Sequence, residues 1–174
     1  MSTDIIVLTG PESSGKTTLA GQLSAHWRAP LAGEVVRDYL KDAADYKQSD
    51  LVEIAKRQLQ EENKLLSLSP ERIVCDTDLL VIMIWSEVKY GECDPWIYTT
   101  FEHCITLDNT NRYYLLCDPS IPWQADPLRE NPHNRDELFD LYLQKLREYG
   151  LNYEIATGDP EDRLQQVIAS TSVR

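Results

Sequence analysis

Positive charge is scarce in this chain: 17 Lys and Arg stand against 29 Asp and Glu, a formal net charge of −12. Binding along a nucleic-acid backbone depends on basic residues neutralising phosphates, so no nucleic-acid partner is expected. A few basic side chains focused on one small phosphate ligand remain compatible with the overall sign. Long apolar runs are missing as well, which excludes a membrane-spanning helix. The start, Met1-Ser2-Thr3-Asp4, has neither the basic region nor the apolar core of a signal peptide, and a cytoplasmic location is the expectation. The four cysteines show no C-x-x-C spacing and stand far from any zinc-type His pair. Cys75 and Cys117 fall in apolar runs, where a buried free thiol is the simple reading. Repeats and low-complexity tracts are absent, and 174 residues suit one domain, 1–174, with a sizeable core.

What is present is a glycine loop in a specific setting. Gly10-Pro11-Glu12-Ser13-Ser14-Gly15-Lys16-Thr17-Thr18 matches G-x-x-x-x-G-K-[ST], whose backbone N–H groups cradle phosphate. Lys16 is placed to reach β- and γ-phosphates, and the Thr17 hydroxyl to hold Mg²⁺. Asp4 to Thr9 before it is a β-branched, apolar run suited to a strand buried on both faces. Leu19, Ala20, Leu23 and Trp27 after it form one stripe at helical spacing, and a helix N-terminus adds its own attraction for phosphate. ATP is therefore the expected ligand.

Further along, Pro30–Val36 reads as a short second strand, and a helix is predicted from about Leu51 to Leu66 with Ser49 or Asp50 as its cap. On that helix Lys56, Arg57, Glu61 and Glu62 are assigned to the solvent side. Arg72–Asp76 is a third strand, Leu79–Tyr90 a buried helix, Asp94 to about Cys104 another helix and Arg112–Cys117 a fourth strand. Arg135–Tyr149 is helical, Tyr153–Thr157 is a fifth strand, and Asp159-Pro160 opens a last helix. Alternation of this kind predicts an α/β P-loop NTPase fold: a five-stranded parallel sheet with helices on both faces.

Ligands of such sheets gather beyond the carboxyl ends of the strands, which selects the candidate residues. Asp76 stands where a Mg²⁺-holding carboxylate belongs, or else caps the strand end. Asp78 either caps the next helix or touches substrate. Glu34 lies where a carboxylate orients or deprotonates an attacking hydroxyl, with Arg37 and Asp38 close behind. The segment 118–135 carries four prolines and reads as a lid, from which Arg129 and Arg135 reach phosphates on closure. Trp123 within it has no core reason for its ring, whereas Trp27, Trp85 and Trp96 read as core residues on helical apolar faces. His133 reads as a solvated loop residue.

Four elements occur in order: the loop Gly10 to Thr17 with its Glu-Ser-Ser insert, Glu34-x-x-Arg37-Asp38-Tyr39, Asp76-Thr77-Asp78, and Pro122-Trp123-x-Ala125-Asp126-x-Leu128-Arg129. In these the chain resembles the ribosylnicotinamide kinase domain of NadR, within the AAA-like P-loop kinases, over nearly its whole length. The resemblance implies ATP- and Mg²⁺-dependent phosphorylation of the 5′-hydroxyl of nicotinamide riboside. It implies that Lys16, Glu34, Asp76 and Arg129 are catalytic, and that Thr17 and Asp76 hold the metal. Gly10, Glu12, Ser13, Ser14, Gly15, Thr18 and Arg135 would serve ATP. Glu34, Arg37, Asp38, Tyr39, Asp78, Trp123 and Asp126 would face the nucleoside. The only histidines are His26, His103 and His133, so no H-x-G-H adenylyltransferase motif is present and the kinase module alone is expected. Where the family has aromatic residues beside the strand-two glutamate, Gly33 and Val35 stand here, with Tyr39 or Trp123 as replacement rings. The expected partners are ATP and a small nucleoside; a homo-oligomer is left open.

Overall fold

Strand β1 (Asp4–Thr9) is apolar on both faces because it is the middle of the sheet. In the computed structural model, which describes residues 2–41, 46–106, 111–125 and 133–171, β3 (Arg72–Asp76) flanks it on one side. On its other side lies β4 (Asn111–Cys117). Short β2 (Leu31–Ala32) and β5 (Tyr153–Ala156) form the edges, giving the order β2-β3-β1-β4-β5 with every pairing parallel. Parallel strands need covered faces, and alternate residues serve the two sides. Ile5, Val7, Ile73, Cys75, Tyr114 and Leu116 pack under α3 (Gln48–Leu66), α4 (Leu79–Tyr90), α5 (Pro95–Thr106) and α6 (Arg135–Glu148). Ile6, Leu8, Val74, Leu115 and Cys117 pack under α1 (Lys16–Trp27) and α7 (Pro160–Thr171). The predicted P-loop α/β class is the observed one, and Cys75 and Cys117 are buried free thiols.

The second strand is much shorter than expected. Only Leu31 and Ala32 pair, and Val35–Tyr39 turn into a helix, α2, with Glu34 at its N-cap. The Val35 N–H donates to the Gln58 side chain (3.2 Å) instead of to a neighbouring strand, so the ladder ends there. Helix α3 starts earlier than predicted, at Gln48. Asp50 does not cap it from outside; its carboxylate sits at the third position and accepts from the Lys47 N–H at 2.7 Å.

Glu62 is not on the solvent side. Leu51, Ile54, Ala55, Gln58 and Glu62 are the buried stripe of α3, and Glu62 pairs with the Arg112 guanidinium from β4. Arg112 also reaches Asp78 at 3.3 Å, and the Tyr114 hydroxyl donates to Asp78 at 2.8 Å. Two carboxylates share one cation in a dry site, so one of them holds its proton more tightly than usual. Burial raises the Asp78 carboxyl to about 6, Arg112 opposing the shift and Glu62 adding to it. In the unfolded chain that group ionises near pH 3.9. Its contribution to stability is therefore full below that value and is lost as the pH rises through about 6. Relative to Asp78→Asn, the wild type is expected to lose melting temperature between about pH 4 and about pH 6. A gap between the two melting curves that does not change with pH would contradict this.

Candidate active site

The loop after β1 adopts its curl because two glycines permit what no side chain would. Gly10 has φ +126°, and a Cβ on it would lie 2.7 Å from the Cys117 carbonyl oxygen. Gly15, at the N-cap of α1, has φ +81°, and a Cβ there would meet Ile121 at 2.6 Å. Two arginines hold the loop by its carbonyls. Arg135 donates to Ser13 O (3.2 Å) and Ile121 O (2.9 Å), and buried Arg163 donates to Ser14 O. Arg163 also bonds the Asp118 carboxylate (2.6 Å) and Gly158 O (2.9 Å), joining the ends of β1, β4 and β5. Carbonyl oxygens repel a phosphate, so fixing them on guanidinium groups suits an anion cradle.

Lys16 Nζ donates to Gly10 O (2.9 Å) and Pro11 O (2.7 Å), engaging two of its three hydrogens across the loop. Asp76 closes β3 at 2% exposure, accepts a hydrogen bond from the Thr17 side chain, and keeps Oδ1 without a hydrogen-bond partner among the described residues. Burial raises its carboxyl pKa and Glu34 adds to the rise, while Thr17, Lys16 and Arg37 lower it. An orphaned buried carboxylate oxygen beside a hydroxyl fits a hard cation such as Mg²⁺, which needs only one or two protein ligands besides phosphate and water. No cluster of three or more His, Cys, Asp or Glu with metal-binding geometry occurs among the described residues.

Opposite the loop, a cavity of about 270 Å³ opens. Glu34, Val36 and Arg37 line one side of it, Val81, Ile84, Trp85 and Val88 of α4 a second, and Leu138 and Tyr142 of α6 a third. The Arg37 Nε donates to Glu34 Oε2 at 2.9 Å, since the two are three residues apart around α2. The same helical phase carries Asp38 and Tyr39 out of the cavity lining. The Tyr39 hydroxyl donates to Asp50 (3.1 Å) and its ring lies 4.7 Å from the Arg57 guanidinium. Asp78 also leaves the expected substrate group: its carboxylate caps α4 through the Leu80 N–H (3.0 Å) and is buried with Arg112. Trp123 is absent from the lining, its ring centroid 5.8 Å from the Arg135 guanidinium. Asp126 and Arg129 lie outside the described residues.

Among the described residues Trp85 and Tyr142 are the rings that line the cavity, and neither was chosen from the sequence for that role. Trp85 looked like core because it sits in the apolar run of α4; it packs edge-on against Tyr46 (5.0 Å) and lines the cavity as well. The buried Tyr142 hydroxyl is pushed well above the tyrosine range, by burial first and then by Glu12, Glu34 and Asp78. Arg163 carried no sequence signal, being an isolated arginine in an amphipathic helix.

The family model described as an AAA domain matches residues 5–163. The chain belongs to this AAA-domain family. No curated protein matches it in sequence. Among solved structures, it is similar to a NadR protein in complex with NAD and AMP-PNP, with TM-score 0.71 and 18% identity over 98% of this chain and 49% of that one. It is similar to the deoxyadenosine kinase from M. mycoides with bound dATP, with TM-score 0.60 and 16% identity over 97% of this chain and 99% of that one. It is also similar to the thymidylate kinase from Ehrlichia chaffeensis, with TM-score 0.65 and 14% identity over 98% of this chain and 100% of that one. The AAA-domain chain thus spans about half the length of the NadR proteins it matches (49% and 51%). At these identities the likeness establishes the P-loop kinase fold; the chemistry must be argued from the site.

Proposed function

We propose that this AAA-domain protein is an ATP-dependent small-molecule kinase whose acceptor is an unphosphorylated nucleoside, with nicotinamide riboside the favoured one. The carrying observation is the two-ended cavity. Lys16 and Thr17 line the side read as the donor end, with Asp76 hydrogen-bonded to Thr17 beside them, and Glu34, Trp85 and Tyr142 line the side read as the acceptor end. Bound Mg²⁺-ATP would bring the γ-phosphoryl group and a cation to neutralise charge on its oxygens, with Thr17 and Asp76 as the metal's protein ligands. Lys16 adds a positive charge beside the transferring group. The Glu34 carboxylate, oriented by Arg37, takes the proton from the acceptor hydroxyl as that oxygen bonds to the γ-phosphorus and the bond from phosphorus to the bridging oxygen breaks, releasing ADP.

A monophosphate acceptor would need free cations at its end of the cavity. Among the described residues Arg37 is the one cation lining that end, and it is already paired with Glu34. A cationic ring without phosphate suits a pocket bordered by carboxylates and aromatic faces. The order of sequence elements shared with the NadR kinase domain is what supports nicotinamide riboside within that class.

Incubation with ATP, Mg²⁺ and a panel of nicotinamide riboside, deoxyadenosine, thymidine and thymidine monophosphate tests this by ADP release and product mass. The expected result is a product heavier by one phosphoryl group with nicotinamide riboside. Transfer confined to the monophosphate would replace the acceptor class. Slow ATP hydrolysis indifferent to every acceptor would favour a regulatory ATPase.

A further inference from the structure

Gln58 lies on α3, outside the cavity lining, yet its amide touches the backbone beside both Glu34 and Asp76. Its Oε1 accepts from the Val35 N–H at 3.2 Å, while its Nε2 faces Gly33 O at 3.4 Å and Thr77 O at 3.5 Å. Gly33 and Val35 flank Glu34, and Thr77 follows Asp76 directly. The side chain is 3% exposed, so these contacts are made in a dry interior. Burying an amide costs free energy unless its donors and acceptor are used, and here all are used.

The sheet does not do this work. Asp76 is held by β1 through the register Leu8↔Asp76, but pairing between β2 and β3 ends at Ala32↔Cys75, short of Glu34, so no ladder joins the two. Beyond that point the chain at Thr77 takes φ +75°, a left-handed conformation that a β-branched residue adopts only under constraint. The Thr77 carbonyl is one of the groups Gln58 holds.

We propose that Gln58 is a positioning residue: its amide holds Glu34 at a set separation from Asp76 by bridging the backbone of Gly33 and Val35 to that of Thr77. The proposal rests on the phosphoryl-transfer reading for its kinetic consequence, but its geometric content stands apart from it. Gln58→Leu keeps the apolar packing and removes all three contacts.

In the full chain, Gln58→Leu is expected to lower kcat with nicotinamide riboside by about 10²-fold, the penalty of an ångström-scale misplacement. ATP affinity, measured by calorimetry, is expected to stay within about twofold because pairing with β1 holds Asp76 and Gln58 does not touch the loop. Added to Glu34→Gln, the same change should cost little more, since Gln58 acts through Glu34. Crystal structures of the wild type and of Gln58→Leu supply a readout independent of activity, namely the Glu34 to Asp76 separation. A wild type inactive on every nucleoside removes the kinase reading, and a shifted separation would still support the positioning role. An unchanged separation, fully additive effects, or parallel loss of kcat, ATP affinity and melting temperature would overturn it.

Discussion

Lys16→Ala is expected to lower phosphoryl transfer by about 10²- to 10³-fold, the usual cost of removing one charge stabiliser from a transition state. The ammonium is held by two loop carbonyls, Gly10 O and Pro11 O, in the middle of the cradle, so it needs no search to meet the transferring group. Preorganisation of that kind acts on the rate more than on folding. The substitution removes two hydrogen bonds worth about 1 kcal/mol each, and both carbonyls border the cavity, where water replaces the donor. For a chain of this size that is a loss of only a few degrees, at about 2–4 °C per kcal/mol. Lys16→Arg should not restore the rate, because a planar fork does not occupy the place of a compact ammonium. The checks are a coupled ADP assay at saturating acceptor and a thermal melt of the same sample. Full activity in Lys16→Ala would mean that the donor phosphate binds elsewhere.

Arg112→Met is expected to be the most damaging change for stability, and it lies outside the cavity lining. Arg112, Glu62 and Asp78 have side chains only 6%, 5% and 4% exposed, so water does not replace a missing partner. Without the guanidinium, two carboxylates face each other among Leu79, Phe101 and Cys104. Removing one member of a buried ion pair typically costs about 3–5 kcal/mol because the remaining charge is uncompensated. At about 2–4 °C per kcal/mol, the melting temperature should fall by roughly 6–20 °C. Combining Arg112→Met with Glu62→Gln and Asp78→Asn should recover part of that loss, since the repulsion disappears with the charges. Equilibrium unfolding in urea gives the free energies directly; a triple variant no more stable than Arg112→Met would show that packing, rather than charge, was lost.

The glycine loop was readable in the sequence because its requirements are local. Gly10 and Gly15 mark positions where the backbone must take left-handed or crowded conformations, and the run Asp4–Thr9 announces a doubly buried strand by composition alone. Asp76 was selected by the rule that strand ends face the ligand, and the strand boundary that the rule needs is the observed one. Glu34 was selected by the same rule for an imperfect reason, since it caps a helix two residues beyond a strand that had already ended.

The acceptor end followed a different logic. Tyr39, Asp38 and Asp78 carry suitable chemistry at suitable places in the chain, but a helical turn and a buried arginine direct them elsewhere. Trp85 and Tyr142 come from helices whose apolar residues all look alike in one dimension. Which of them borders a cavity depends on how α4 and α6 lean on the sheet. Glu62 shows the reverse error, a charged residue placed in water by its type and buried by a partner 50 residues away.

The sequence by itself therefore determined the layered parallel sheet, the glycine loop and the strand-end carboxylate beside it, because backbone conformation and alternation are short-range properties. Only the tertiary structure decided which rings line the cavity, how Arg112 and Arg163 tie distant strands together, and how Gln58 spans the gap between Glu34 and Asp76. Those depend on side chains meeting across separate elements, and pairwise contact at long sequence separation leaves no period or spacing to read.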